Sequence, residues 1–114
     1  MSKLSKLEAT VRLTVENPKQ KGGSVFGPGI AALCTGVQEL GSLNAAAKSM
    51  GMAYSKAWRI IKDTETALGF PLLIRDGAHG STLTEEGSQL LDIYASIQEK
   101  LTKESVKLYQ KLAQ

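Results

Sequence analysis

Between Leu43 and Lys62 three small residues, Ala47, Gly51 and Ala57, stand at the spacing that two closely packed helices and a tight turn require. The first helix would carry Ala47, the turn Gly51 and the second helix Ala57, where a larger side chain would force the helices apart. Gly51 accepts the positive φ of such a turn without a steric penalty. Met50, Met52, Ile60 and Ile61 supply apolar contacts beneath. That leaves Tyr54, Ser55, Lys56, Trp58, Arg59 and Lys62 for the outer face of the second helix. Arginine and lysine so placed can bind guanine edges or phosphates, and serine and tyrosine can donate hydrogen bonds near the helix N-terminus.

The flanking sequence organises itself around this pair. Leu7, Ala9, Val11, Leu13 and Val15 alternate with polar residues, which predicts a strand over 7–16 that stops at Asn17-Pro18. The stretch 19–24 (KQKGGS) reads as an exposed loop. A helix is expected over 28–40, starting at Pro28 and burying Ile30, Leu33, Cys34, Val37 and Leu40. The helix–turn–helix follows over 44–68, its first helix from about Asn44, a candidate N-cap, to Met50, and its second from Tyr54 to Leu68. Leu72–Ile74 and Ser81–Leu83 form two short strands joined by the turn Asp76–Gly80, a wing over 72–83. Thr84 then caps a helix of nearly 30 residues to Leu112, with Glu85 and Glu86 suited to its positive end.

That last helix is longer than the rest of the chain can cover. Leu90, Tyr94, Ile97, Leu101, Leu108 and Leu112 make one apolar stripe along it, interrupted at Ser105. A second copy of the chain is the simplest cover, so these six residues are the expected dimer interface.

Composition excludes most other classes. With 114 residues, 42% hydrophobic and 22% charged, the chain reads as one small soluble domain over 1–114. No apolar run reaches the roughly 18 residues of a membrane span, and the N-terminus lacks a secretory signal, so a cytoplasmic location is expected without membrane contact. One cysteine and one histidine leave no disulfide, metal cluster or catalytic triad; no cofactor is expected and the chain is not read as an enzyme. Cys34 is a small core residue and His79 a solvated turn residue. The glycine-rich GGSVFGPG lacks the Gly-Lys-Ser/Thr ending of a phosphate loop. Asp63 and Glu65 point to different sides of their helix and make no catalytic pair. The net charge is only +3, but residues 48–62 hold Lys48, Lys56, Arg59 and Lys62 and no acidic residue, a cationic stretch of the kind that meets nucleic acid.

From Gly41 to Leu91 the sequence resembles the winged helix–turn–helix of LysR-type and, more closely, ModE-type regulators. The shared residues are Gly41-Ser42, Ala45-Ala46-Ala47, Ser55-Lys56-Ala57-Trp58, Leu68-Gly69, Pro71-Leu72 and Leu83-Thr84-Glu85 with Gly87. The resemblance implies a mainly helical fold with a small β wing, a recognition helix beginning near Tyr54, and dimerisation through the helix after Thr84. Two departures stand out. Ala53 occupies the usual serine N-cap position, and the short wing offers only Arg75 and His79. The chain ends at Gln114 without the family's ligand-sensing domain, so no molybdate binding is expected.

These readings converge on a sequence-specific regulator of transcription in a bacterium, binding double-stranded DNA as a homodimer. Lys48, Lys56 and Lys62 would meet phosphates; Tyr54, Ser55 and Arg59 would lie nearer base edges, with Arg75 and His79 on the flanking backbone. Trp58 has two placements open to it, on the DNA or under the wing. The alternative is a winged-helix protein-interaction module without DNA binding, favoured by the modest net charge and the weak wing.

Overall fold

The computed structural model describes residues 3–75 and 80–114. Four α-helices and a two-stranded antiparallel sheet follow the order α1 (Pro28–Leu40), α2 (Leu43–Ser49), α3 (Tyr54–Leu68), β1 (Leu73–Arg75), β2 (Ser81–Leu83) and α4 (Glu85–Leu112). In the sheet Leu73 faces Leu83 and Arg75 faces Ser81. The wing tip between the strands, with the expected His79 contact, lies outside the described residues.

Helix ends are set by local chemistry. Proline begins α1, and Gly41 ends it with φ 83°. Ser42, not Asn44, caps α2: its hydroxyl accepts from the Ala45 N–H at 3.1 Å, so the helix starts at Leu43. Gly51 has the positive φ (67°) that the turn demands. α1 and α2 approach so closely that a Cβ on Gly36 would sit 2.6 Å from that of Ala46. Ala46, Ala47 and Ala57 are fully buried, as the close packing of the three helices requires.

The core lies where α1, α2, α3 and the start of α4 meet, filled by Phe26, Leu33, Leu43, Ile61 and Leu72. Cys34 sits within it, and burial, with the Glu65 charge adding, pushes its thiol up to about 12. Two expected core residues lie outside: Leu40 and Met50 are exposed, because each falls at the end of its short helix where the chain turns away.

The N-terminal segment departs most from expectation. It forms no strand over 7–16; Val15 alone makes a ladder bridge, with Phe26, at 2.9 and 2.8 Å. The segment instead runs along α4, whose side chains supply its hydrogen bonds. Gln98 acts like a peptide of a neighbouring strand: its Oε1 accepts from the Leu13 N–H at 3.0 Å and its Nε2 donates to the Val11 carbonyl at 2.7 Å. The Tyr94 and Tyr109 hydroxyls donate to the carbonyls of Leu13 (2.9 Å) and Leu4 (2.7 Å). The period-2 pattern is there, but its partner is a helix.

Candidate nucleic-acid interface

α3 is held from below and open above. Ala57, Ile61, Thr64, Glu65 and Ala67 are its buried face. Glu65 is the tie to the wing: its Oε2 accepts the N–H groups of Leu72 at 2.6 Å and Leu73 at 3.2 Å, and its Oε1 pairs with Lys62 Nζ at 3.4 Å. β1 starts one residue later than expected, at Leu73, although the Leu72 carbonyl still accepts from the Thr84 N–H at 2.9 Å. At the same root of the wing Thr84 Oγ1 donates to the Pro71 carbonyl at 2.7 Å and accepts from the Gly87 N–H at 2.9 Å, joining the wing to the start of α4. Glu65 and Thr84 thus tie α3 and α4 to the root of the wing.

On the open side, Ser55, Lys56 and Arg59 project from the first half of α3, with Lys48 exposed in the last turn of α2. Among the described residues none of Lys48, Lys56 and Arg59 makes an ion pair. Ala53 has no side chain to cap α3, so the helix presents the positive end of its dipole to whatever approaches. Lys62 differs from the other cations, being paired with Glu65 and lying 4.6 Å above the Trp58 ring. Trp58 is half-buried, packed against the core on one side. Arg75 comes across from β1, its Cζ 4.9 Å from the same ring and its Nη2 donating to the Tyr54 hydroxyl at 2.7 Å.

The expected dimer stripe splits along its length. Tyr94 is buried in its own chain's core, edge-on to Phe26 with ring centroids 5.3 Å apart, and burial raises its pKa. Leu90 packs on the same core. Tyr94 is therefore closed to another copy, while Leu90 is half-buried. Beyond these two, Ile97, Leu108 and Leu112 are exposed and Leu101 is half-buried. Cover from the same chain does reach this far, through the Leu4–Tyr109 bond. Val11 of the segment and Leu101 and Leu108 of α4 share a shallow groove bordered by Glu104, Lys107 and Lys111.

Three side chains that matter here escaped the reading of the sequence. Ile93 is 53% exposed and extends the open face at the spacing 93, 97, 101, 108, a helical repeat that was available to find it. Glu65 and Gln98 work through contacts distant in sequence, for which the local pattern carries no signal. Among the described residues no His, Cys, Asp and Glu cluster to hold a metal, and no helix is long and apolar enough to cross a membrane.

Residues 32–88, half of the chain, match the profile of the bacterial regulatory helix-turn-helix protein, lysR family. Of the two resemblances in the sequence, this is the LysR-type one. Among solved structures, that of the CbnR_DBD-DNA complex aligns with a TM-score of 0.61 at 28% identity, over 74% of this chain and 94% of that one. VV2_1132, a LysR family transcriptional regulator, aligns with a TM-score of 0.53 at 33% identity over 65% of this chain. There the match takes in only 26% of the longer protein. No curated protein matches. With its helix–turn–helix, wing and long following helix, the chain belongs to the lysR family of bacterial regulatory helix-turn-helix proteins.

Proposed function

We propose that the protein is a transcription regulator that binds double-stranded DNA sequence-specifically, as a homodimer, in the bacterial cytoplasm. The observation that carries this reading is the outer face of α3: Ser55, Lys56 and Arg59 stand exposed on a helix whose other face is buried and pinned to the wing. A rigid helix with a polar, cationic outer face suits the major groove, where Arg59 can meet a guanine edge with two hydrogen bonds. Lys48 and Lys56 would neutralise phosphates to either side, which positions the helix without reading sequence. The similarity to a domain solved in a DNA complex supports the same reading.

The dimer rests on the open face of α4, where Ile93, Ile97 and Leu108 are exposed with Leu101 beside them. An apolar face of this length on a helix of about 42 Å favours a second copy over water. Two copies related by a two-fold would present their α3 helices to successive major grooves, about 34 Å apart. Nothing in this mechanism requires a metal or a cofactor.

Selecting bound fragments from a random duplex pool at two salt concentrations tests the reading. Enriched sites with two related half-sites, and affinity that falls steeply with salt, are expected. Recovery of no preferred duplex, with binding absent even at low salt, would leave a protein-interaction module as the better description.

A further inference from the structure

Tyr54, Trp58 and Lys62 fall four residues apart and so form one stripe along α3, and Arg75 lies across it from the end of β1. The guanidinium is fixed at two points, by the Tyr54 hydroxyl at 2.7 Å and by the Trp58 ring at 4.9 Å. Lys62 sits over the same ring at 4.6 Å but is also paired with Glu65, so its charge is partly spent within the chain. Arg75 carries no ion pair among the described residues. An exposed arginine on a three-residue strand would ordinarily sample many rotamers and lose that freedom on binding. Here the loss has already been met within the folded chain.

We infer that Tyr54 and Trp58 are positioning residues, which hold Arg75 against α3 so that helix and wing root offer one preformed site to a single backbone phosphate of DNA. The inference rests on the DNA-binding reading above. It assigns Trp58 a role other than base contact: the ring is a platform, half-buried below and occupied by cations. The ligand chemistry is a phosphodiester, because a planar guanidinium held at the root of the wing, to one side of the α3 face that would enter the groove, fits two phosphate oxygens.

A set of variants separates positioning from contact. Arg75→Ala should weaken binding to every duplex alike and lower the salt slope by about 1. Tyr54→Phe, which removes one exposed oxygen and leaves the core untouched, should cost a few-fold in affinity. Trp58→Leu should cost about tenfold, with Trp58→Phe recovering most of it because the ring face is kept. The decisive feature is non-additivity: in an Arg75→Ala background neither Tyr54→Phe nor Trp58→Leu should weaken binding further. Trp58 is the only tryptophan, so its emission reports on the site directly, and Arg75→Ala should shift it in the free protein. Additive losses, a changed preferred sequence in Trp58→Leu, or unaltered emission in Arg75→Ala would each overturn the positioning role while DNA binding stands. A wild type that binds no duplex would overturn the underlying reading and this inference with it, even if the emission shift were seen.

Discussion

α3 and the outer half of α4 both turn a face to solvent, and the two faces differ in kind. α3 buries its apolar residues and shows Ser55, Lys56 and Arg59, groups content in water and ready to exchange it for phosphate or base edges. α4 buries Leu91 and Tyr94 in its first ten residues and then leaves Ile97, Leu108 and Leu112 exposed along one face. A polar open face has no need of cover; an apolar one does. In the proposed function the two faces take different partners, DNA for α3 and a second copy for α4. The contrast also separates their chemistry, since salt should loosen the first contact and leave the second in place.

The comparison is broken most forcefully at α4. Burying the exposed Leu108 should contribute up to about 1.5–3 kcal/mol to association, and the half-buried Leu101 about half as much. The double variant Leu101→Glu, Leu108→Glu should therefore sediment as a monomer at concentrations where the wild type is a dimer, with an unchanged circular dichroism spectrum. A variant that still sediments as a dimer would move the interface elsewhere.

Next in size is the closure of the core beneath α3. With the Cys34 thiol raised from 9.0 to about 12, its thiolate fraction at pH 8 falls by about a thousandfold against an open thiol. Labelling with a disulfide reagent should be slower by about that factor until denaturant opens the fold. The linkage has a definite sign: a raised pKa favours the neutral thiol, so this contribution to stability is whole below about pH 9 and is lost as the pH climbs toward 12. Rapid labelling of the native protein would show that α3 stands on a looser base than described.

The tie between α3 and the wing comes third. Glu65→Gln keeps the shape but loses the charge that the Leu72 and Leu73 amides and Lys62 share, and should destabilise the fold by about 1.5–3 kcal/mol in urea unfolding. Smallest is the exposed pair of Lys103 with Glu99 on α4, 3.0 Å apart. Lys103→Ala should change stability by less than about 0.5 kcal/mol, since both side chains are largely in water.

How far the sequence could be read follows the same division. The helices were legible because their signals are local: proline at the start of α1, Gly41 and Gly69 at left-handed ends, Thr84 capping α4. So were the small residues at the helix crossing. The N-terminal segment misleads because period 2 records a backbone that needs a ladder, while the ladder here is provided by Gln98, Tyr94 and Tyr109 of a helix. Likewise, helical spacing alone groups Tyr94 with Leu108, yet Phe26 covers the one and leaves the other open. At the candidate interface the residue types were readable on α3. The docking of Arg75 on Tyr54 and Trp58 was not, because it joins positions far apart in the chain.

The most direct test of the account is the affinity of Arg59→Ala for a duplex selected by the wild type, measured by fluorescence anisotropy beside an unrelated duplex. Arg59 is exposed on α3, outside the core and without an ion pair among the described residues, so its loss should leave stability alone. A loss of about 1–3 kcal/mol on the selected site is expected, with relaxed preference at one base position in each half-site and little change on the unrelated duplex. Unchanged affinity on the selected site, or equal losses on both duplexes, would contradict α3 as the helix that reads sequence.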